Sequence, residues 1–147
     1  MLSEIRIKLM REGAKLPMRM TDGSVGCDIF ASIEESVEIA PGETVLIPAG
    51  FALELPSEVG AFIFARSGLG IKHGITPANC VGVIDSDYRG EVKVGLRNYS
   101  DKVFVVAPEE RIAQMVIMPV VLPQWKVCDE LSDTVRADGG FGSSGKK

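Results

Sequence analysis

The chain has 147 residues, enough for one ordinary domain and short for two. Hydrophobic residues make up 46% and charged residues 24%, and a net charge of −4 excludes nonspecific nucleic-acid binding, which needs a basic surface. No segment approaches the ~20 apolar residues of a membrane span, and the charged start MLSEIRIKLMREG lacks a signal peptide's apolar core. Cys27, Cys80 and Cys128 are widely spaced and odd in number, so reduced thiols in a cytoplasmic setting are expected rather than a metal or disulfide pattern. The single histidine, His73, excludes a multi-histidine metal site and is expected to be structural.

In chain order, EIRIKLM alternates with Ile5, Ile7 and Leu9 on one side, a strand signal of period two. GSVGCDIFA places Asp28 in a small-residue turn entering a strand, where a capping or bend role is the default. VEIAPGETVLIPAGFALELP sets a turn at Pro41–Gly42 between two strand-like runs, and VGAFIFA continues the pattern. SGLGIKHG is the best helix candidate, weakened by its own glycines. GITPANCVGVI, EVKVGLRN and KVFVVAPEERIAQMVIMPVV complete the apolar runs. Turn signals about every eight to twelve residues predict an all-β sandwich or barrel. Runs as continuously apolar as AFIFA and MVIMPVV predict burial on both faces, hence packing against other subunits. The apolar pattern stops near Leu131, which divides the chain into a β-domain over 1–131 and a mobile arm over 132–147.

Four stretches carry polar groups suited to chemistry. In GVIDSDYRGEV, Asp85 follows an apolar run and is positioned to take a proton from water in a partly enclosed cleft, with the flat ring of Tyr88 close by. The plainer reading is a hairpin whose aspartates cap the turn. In ARSGLG, the fork of Arg66, the Ser67 hydroxyl and the Gly68 amide suit one phosphate, although a surface turn with an exposed arginine fits equally. EERIAQM offers Arg111 and Gln114 beside a strand, where charges on a solvated edge that discourage aggregation are the simpler explanation. The end, RADGGFGSSGKK, reads as a flexible tail or a cloning scar, yet holds Arg136 and an aromatic ring, Phe141. Two nucleotide-loop patterns fail. GLGIKHG has the wrong glycine spacing for a dinucleotide fingerprint, and the GxxxxGK of Gly140 to Lys146 has no Ser/Thr after it and no following helix.

Order and spacing together are more specific than any one piece. GSVGCDIFA, RSGLG, NCVGVIDSDYRGE, ERIAQM and RADGGFGSSG resemble, in sequence, the five motifs of the trimeric deoxyuridine triphosphatase family, over nearly the whole chain. The resemblance implies an all-β, jelly-roll-like distorted barrel, a homotrimer with active sites shared between subunits, and Mg²⁺-dependent hydrolysis of dUTP to dUMP and pyrophosphate. It implies that Asp85 deprotonates the water attacking the α-phosphorus. Asn79 and main-chain groups of the following hairpin, Val83 among them, read the uracil edge, while Tyr88 packs beneath the deoxyribose and excludes a 2′-hydroxyl. Arg66, Ser67, Gly68 and Gln114 hold the phosphates. Arg136, Gly142, Ser143 and Ser144 close over them, and Phe141 stacks on the base. Asp28 and Arg111 support the site through hydrogen bonds or an ion pair. Mg²⁺ is held by substrate phosphates and water, with no direct protein ligand.

Departures from the pattern are modest: Cys27 and Ile29 flank Asp28, and Ala65 stands where proline is common. The same-fold dCTP deaminases differ more. They carry a serine after Arg-Ser, where this chain has Gly68, and a strand glutamate at about the position of Gly95. A trimeric binding or regulatory protein that has lost catalysis would lack Asp85, Arg66 or the tail, and all three are present.

Overall fold

A computed structural model describes residues 4–140. Its strands are β1 (Arg6–Leu9), β2 (Cys27–Phe30), β3 (Val37–Ile39), β4 (Thr44–Pro48), β5 (Phe51–Glu54) and β6 (Val59–Phe64). One helix, α1 (Ser67–His73), precedes β7 (Ile75–Pro77), β8 (Gly82–Ile84), β9 (Lys93–Asn98), β10 (Phe104–Val106) and β11 (Arg111–Pro119). Every pairing among them is antiparallel. The largest sheet runs β2-β11-β6-β8, a second runs β4-β9-β7, and the pairs β1-β5 and β10-β3 complete the fold. This is an all-β, jelly-roll-like arrangement whose distortion lies in its division into separate sheets, none closed on itself.

The sheets enclose one core, in which Ile29, Ile39, Ile47, Phe51, Leu96 and Ile112 are almost fully buried. The predicted alternation of the first strand holds in part: Ile5 and Ile7 pack against that core, while Leu9 at the strand end stays half exposed. The continuously apolar VGAFIFA contains the interior strand β6, hydrogen-bonded along both edges by β11 and β8, with Val59, Gly60, Ala61 and Ile63 buried and Phe62 and Phe64 partly buried. The predicted turn at Pro41–Gly42 is present, with Gly42 in the left-handed region at φ 74. The runs it joins do not pair with each other; β3 pairs with β10 and β4 with β9, so the turn passes the chain between sheets.

One polar side chain sits inside this core. Asn98 is fully buried, donates from Nδ2 to the carbonyls of Ile39 (2.8 Å) and Lys102 (2.7 Å), and accepts from Ser100 N and Oγ. All of its capacity is used, so burial costs little and fixes the loop after β9 against β3.

The last strand ends at Pro119, and residues 121–138 are exposed throughout. Val121, Leu122, Trp125, Val127 and Leu131 each keep at least three quarters of their surface, Trp125 93% of it. So many apolar side chains left bare along one segment is a surface that a single chain leaves uncovered. No helix of the described residues is long and apolar enough to cross a membrane.

Candidate active site

The candidate residues form two groups. The first gathers around Asp28. The sequence alone favours a cap or bend for this aspartate, but it lies within β2 and is buried, because β2 continues through it to pair with β11. Its carboxylate accepts from Arg66 Nε at 3.1 Å and from Arg111 Nη1 at 3.1 Å. Arg66 also donates from Nη1 to the Arg111 carbonyl at 3.1 Å. One carboxylate thus holds two guanidinium groups side by side and lowers the repulsion between them.

Arg111 and Gln114 do not stand on a solvated edge, as the simpler explanation had it. They belong to β11, which is an interior strand flanked by β2 and β6. Gln114 donates from Nε2 to the Ala65 carbonyl at 2.9 Å and so fixes the segment that leads into Arg66. A Cβ on Gly26 would lie 2.5 Å from Gln114 Oε1, so the missing side chain at Gly26 makes the room for this glutamine.

Ser67 and Gly68 are not in an open surface turn but open α1, with Arg66 as the extended N-cap residue. The helix stops at Gly74, in the left-handed conformation (φ 67), with its N–H on the Gly70 and Leu69 carbonyls. The first N–H groups of a helix have no partner within it, and Ser67 and Gly68 are exposed. Nothing lies within 4 Å of a Cβ placed on Gly68, so a side chain at that position would meet open space.

The second group lines a cleft of about 360 Å³ that includes Ile63, Asn79, Gly82, Val83, Asp85 and Tyr88. Asp85 directly follows β8 and is exposed to it. The hairpin reading of this stretch is incorrect: β8 pairs with β6, whereas β9 pairs with β4 and β7, so the turn after Asp85 crosses from one sheet to another. That crossing opens the cleft between the two sheets. The turn is closed by Tyr88 N on the Asp85 carbonyl (3.2 Å) and by Tyr88 Oη on the Glu91 carbonyl (3.1 Å). A Cβ on Gly90 would sit 2.5 Å from the Tyr88 ring, so only glycine lets that ring lie there. Asn79 enters from the turn before β8, which Cys80 completes in the left-handed region at φ 63. Gly82 lets β8 lie close on Ile63, whose Cβ would be 3.2 Å from an added Cβ.

The structure brings Asn79, Val83, Asp85 and Tyr88 together, and Asp28, Arg66, Ser67, Gly68, Arg111 and Gln114 together, but not the two groups with each other. Ile84 pairs with Ala61, five residues before Arg66, which places Arg66 roughly 16 Å further along the sheet at about 3.3 Å per residue. The Arg66 guanidinium is also held at β2, three strands across from β8, roughly 14 Å at about 4.8 Å per strand. Arg136 is exposed and donates from Nε to the Gly139 carbonyl at 2.8 Å. Phe141, Gly142, Ser143 and Ser144 lie outside the described residues. Among the described residues, no three His, Cys, Asp or Glu side chains converge as a metal-ligand set.

Sequence reasoning missed Gly26, Arg11 and Glu91. Arg11 reaches Glu91 across the fold with both Nε and Nη2, the latter at 3.1 Å from Oε2. This pairing holds the Glu91 carboxyl below its ordinary range, with Lys93 and the Gly50 backbone acting in the same direction. Nothing local in the sequence marks a contact between residues so far apart.

The family model described as dUTPase matches residues 12–145. The chain is 48% identical to the deoxyuridine 5'-triphosphate nucleotidohydrolase of Desulfitobacterium hafniense, over 97% of this chain and 96% of that one. It is 49% identical to the enzyme of that name from Hydrogenobaculum sp. (98% and 99% covered) and 43% identical to that of Klebsiella pneumoniae (100% of both). Among solved structures, Staphylococcus bacteriophage 80alpha dUTPase with dUPNHPP superposes with a TM-score of 0.89 at 27% identity, over 98% of this chain and 99% of that one. The chain therefore belongs to the dUTPase family and is a dUTP-hydrolysing enzyme, a dUTP diphosphatase.

Proposed function

We propose that the enzyme hydrolyses dUTP at the α-phosphorus, releasing dUMP and pyrophosphate, in a homotrimer whose sites each join the Asp85 cleft of one copy to the Arg66 cluster of another. The observation that carries this reading is the separation of the two groups within one chain. A nucleophile-activating carboxylate and a phosphate clamp must meet on one triphosphate. A single copy holds them far apart along the sheet and toward its opposite edges, β8 and β2. Closed symmetry supplies the missing half of each site from a neighbour. The uncovered apolar segment 121–135 supports the same assembly, because packing against another copy would bury it.

The division of labour proposed here is the one the family resemblance implies, and the two groups of residues support it. Asp85 accepts a proton from the attacking water. Asn79 and the main chain of β8, at Val83, face the base edge, and Tyr88 supports the sugar. Arg66, Ser67 and Gly68 neutralise and orient the phosphates, with Arg66 aimed by Asp28 and Arg111. Gln114 acts on the same segment through Ala65. The arm over 132–147 contributes Arg136, Phe141, Gly142, Ser143 and Ser144 as closing contacts. Mg²⁺ enters with the triphosphate as part of the substrate and offsets its charge. The oxygens that this hard cation prefers are those of phosphate and water, of which the triphosphate itself supplies the first. Free Cys27, Cys80 and Cys128 fit a reducing compartment, the cytoplasm.

The test is pyrophosphate release from dUTP, dTTP, dCTP and UTP, each with and without Mg²⁺. Release from dUTP alone, dependent on Mg²⁺, is expected. Ammonia release from dCTP would instead identify the deaminase chemistry of the same fold.

A further inference from the structure

We propose that Arg11 and Glu91 form a clamp that sets the position of the Asp85–Gly90 turn, which makes both of them positioning residues for dUTP over UTP. The inference rests on the assignment of the Asp85 cleft as the nucleoside site. Glu91 lines that cleft beside Tyr88, and its carbonyl receives the Tyr88 hydroxyl. Its carboxylate points to Arg11 and is held there by both arms of the guanidinium fork. A bidentate pair of this kind fixes angle as well as distance.

Both partners are braced on the same piece of backbone. Met10 N donates to the Gly50 carbonyl (2.8 Å), while Val92 N donates to the Phe51 carbonyl (2.8 Å) and Ala49 N to the Val92 carbonyl (2.9 Å). Gly50 is itself fixed: its φ is 76, and a Cβ there would lie 2.5 Å from Ser32 Oγ. The clamp therefore ties the mouth of the cleft to a rigid junction between β4 and β5. The other end of the turn is already closed, by Tyr88 N on Asp85 and by Arg89 Nη1 on the Ser86 carbonyl (2.7 Å). Without the clamp, the peptide unit formed by Glu91 C=O and Val92 N–H is held on this side only by its bond to Phe51, about which it can tilt, and a tilt of the Glu91 carbonyl carries the Tyr88 ring with it. The face that meets the sugar then loses its fixed depth, and the block against a 2′-hydroxyl weakens.

The test compares kcat, KM and the ratio of kcat/KM for dUTP over UTP in the wild type, Arg11→Ala, Glu91→Gln and the exchange Arg11→Glu/Glu91→Arg. The single variants are expected to lower the ratio about three- to fivefold, mainly through KM, as suits one partly exposed pair. The exchange variant is expected to regain much of the loss. Arg11 is half exposed, so Arg11→Ala folds and carries the test even where a change at Glu91 does not. Single variants that lose thermal stability but keep the wild-type ratio, or an unchanged ratio in all, would overturn the clamp. Failure of the nucleoside-site assignment looks different, because the wild type itself would then not prefer dUTP.

Discussion

Arg66 and Asp85 stand beyond opposite ends of the contact between β6 and β8, with the Arg66 guanidinium drawn to the far side of the sheet by Asp28. The residue that would activate water and the residue that would hold phosphate are thus kept apart by the fold of each copy. On the proposed reading the catalytic unit is larger than the folded unit, and the consequences can be measured site by site.

Asp28→Ala removes the carboxylate shared by Arg66 and Arg111 and leaves both guanidinium groups without that counter-charge. The expected result is a loss of about 2 kcal/mol in stability and a rise in KM of roughly tenfold. Chemical denaturation and steady-state kinetics check both numbers, and an unchanged KM would show that Arg66 needs no such support.

Gly26→Ala forces the Gln114 side chain away from the Ala65 carbonyl. A flexible side chain absorbs such a clash at small cost, so melting temperature is expected to fall by only about 2 to 4 °C. The segment before Arg66 loses its tether, and KM is expected to rise several-fold. Wild-type kinetics in this variant would remove Gln114 from the phosphate side of the site.

Asp85→Asn keeps the shape of the cleft but removes the base. Turnover is expected to fall at least about a thousandfold while dUMP and dUTP still bind, as calorimetry can show. Turnover that survives the change would assign the proton transfer elsewhere.

How much of this was legible in the sequence depends on the range of the interaction. Strands, the Pro41–Gly42 turn and the short helix follow from local alternation and turn residues, and all appear in the structure. The DSDYRG stretch reads equally as a hairpin because a turn between two strands looks the same locally whether they pair or enter different sheets. Arg111 and Gln114 looked like an edge because nothing local shows that β11 gains two neighbours, β2 and β6, from far away in the chain. The motifs single out Asp28, Arg66, Asn79 and Asp85 as candidates. Their division into two groups required the register of the sheet.

The Glu91 carboxyl, lowered chiefly by its hydrogen bonds with Arg11, gives a pH signature of stability. Its folded value lies below its unfolded one, so its contribution is present above the ordinary carboxylate range and is lost as pH falls through the folded value. Lys93 acts in the same direction, and Glu34 also acts on Arg11. The stability difference between wild type and Glu91→Gln is expected to be constant near neutrality and to vanish in acid. A difference that grows in acid would reverse the sign of the linkage.

The most direct measurement mixes two inactive variants, Asp85→Asn and Arg66→Ala, by refolding them together, with mixed assemblies verified by native mass spectrometry. If each site takes Arg66 from one copy and Asp85 from another, about one neighbouring pair in four is intact in a random equal mixture. The mixture is then expected to recover about a quarter of wild-type turnover. Activity in verified mixed assemblies that stays at the level of the separate variants would contradict a site shared between copies.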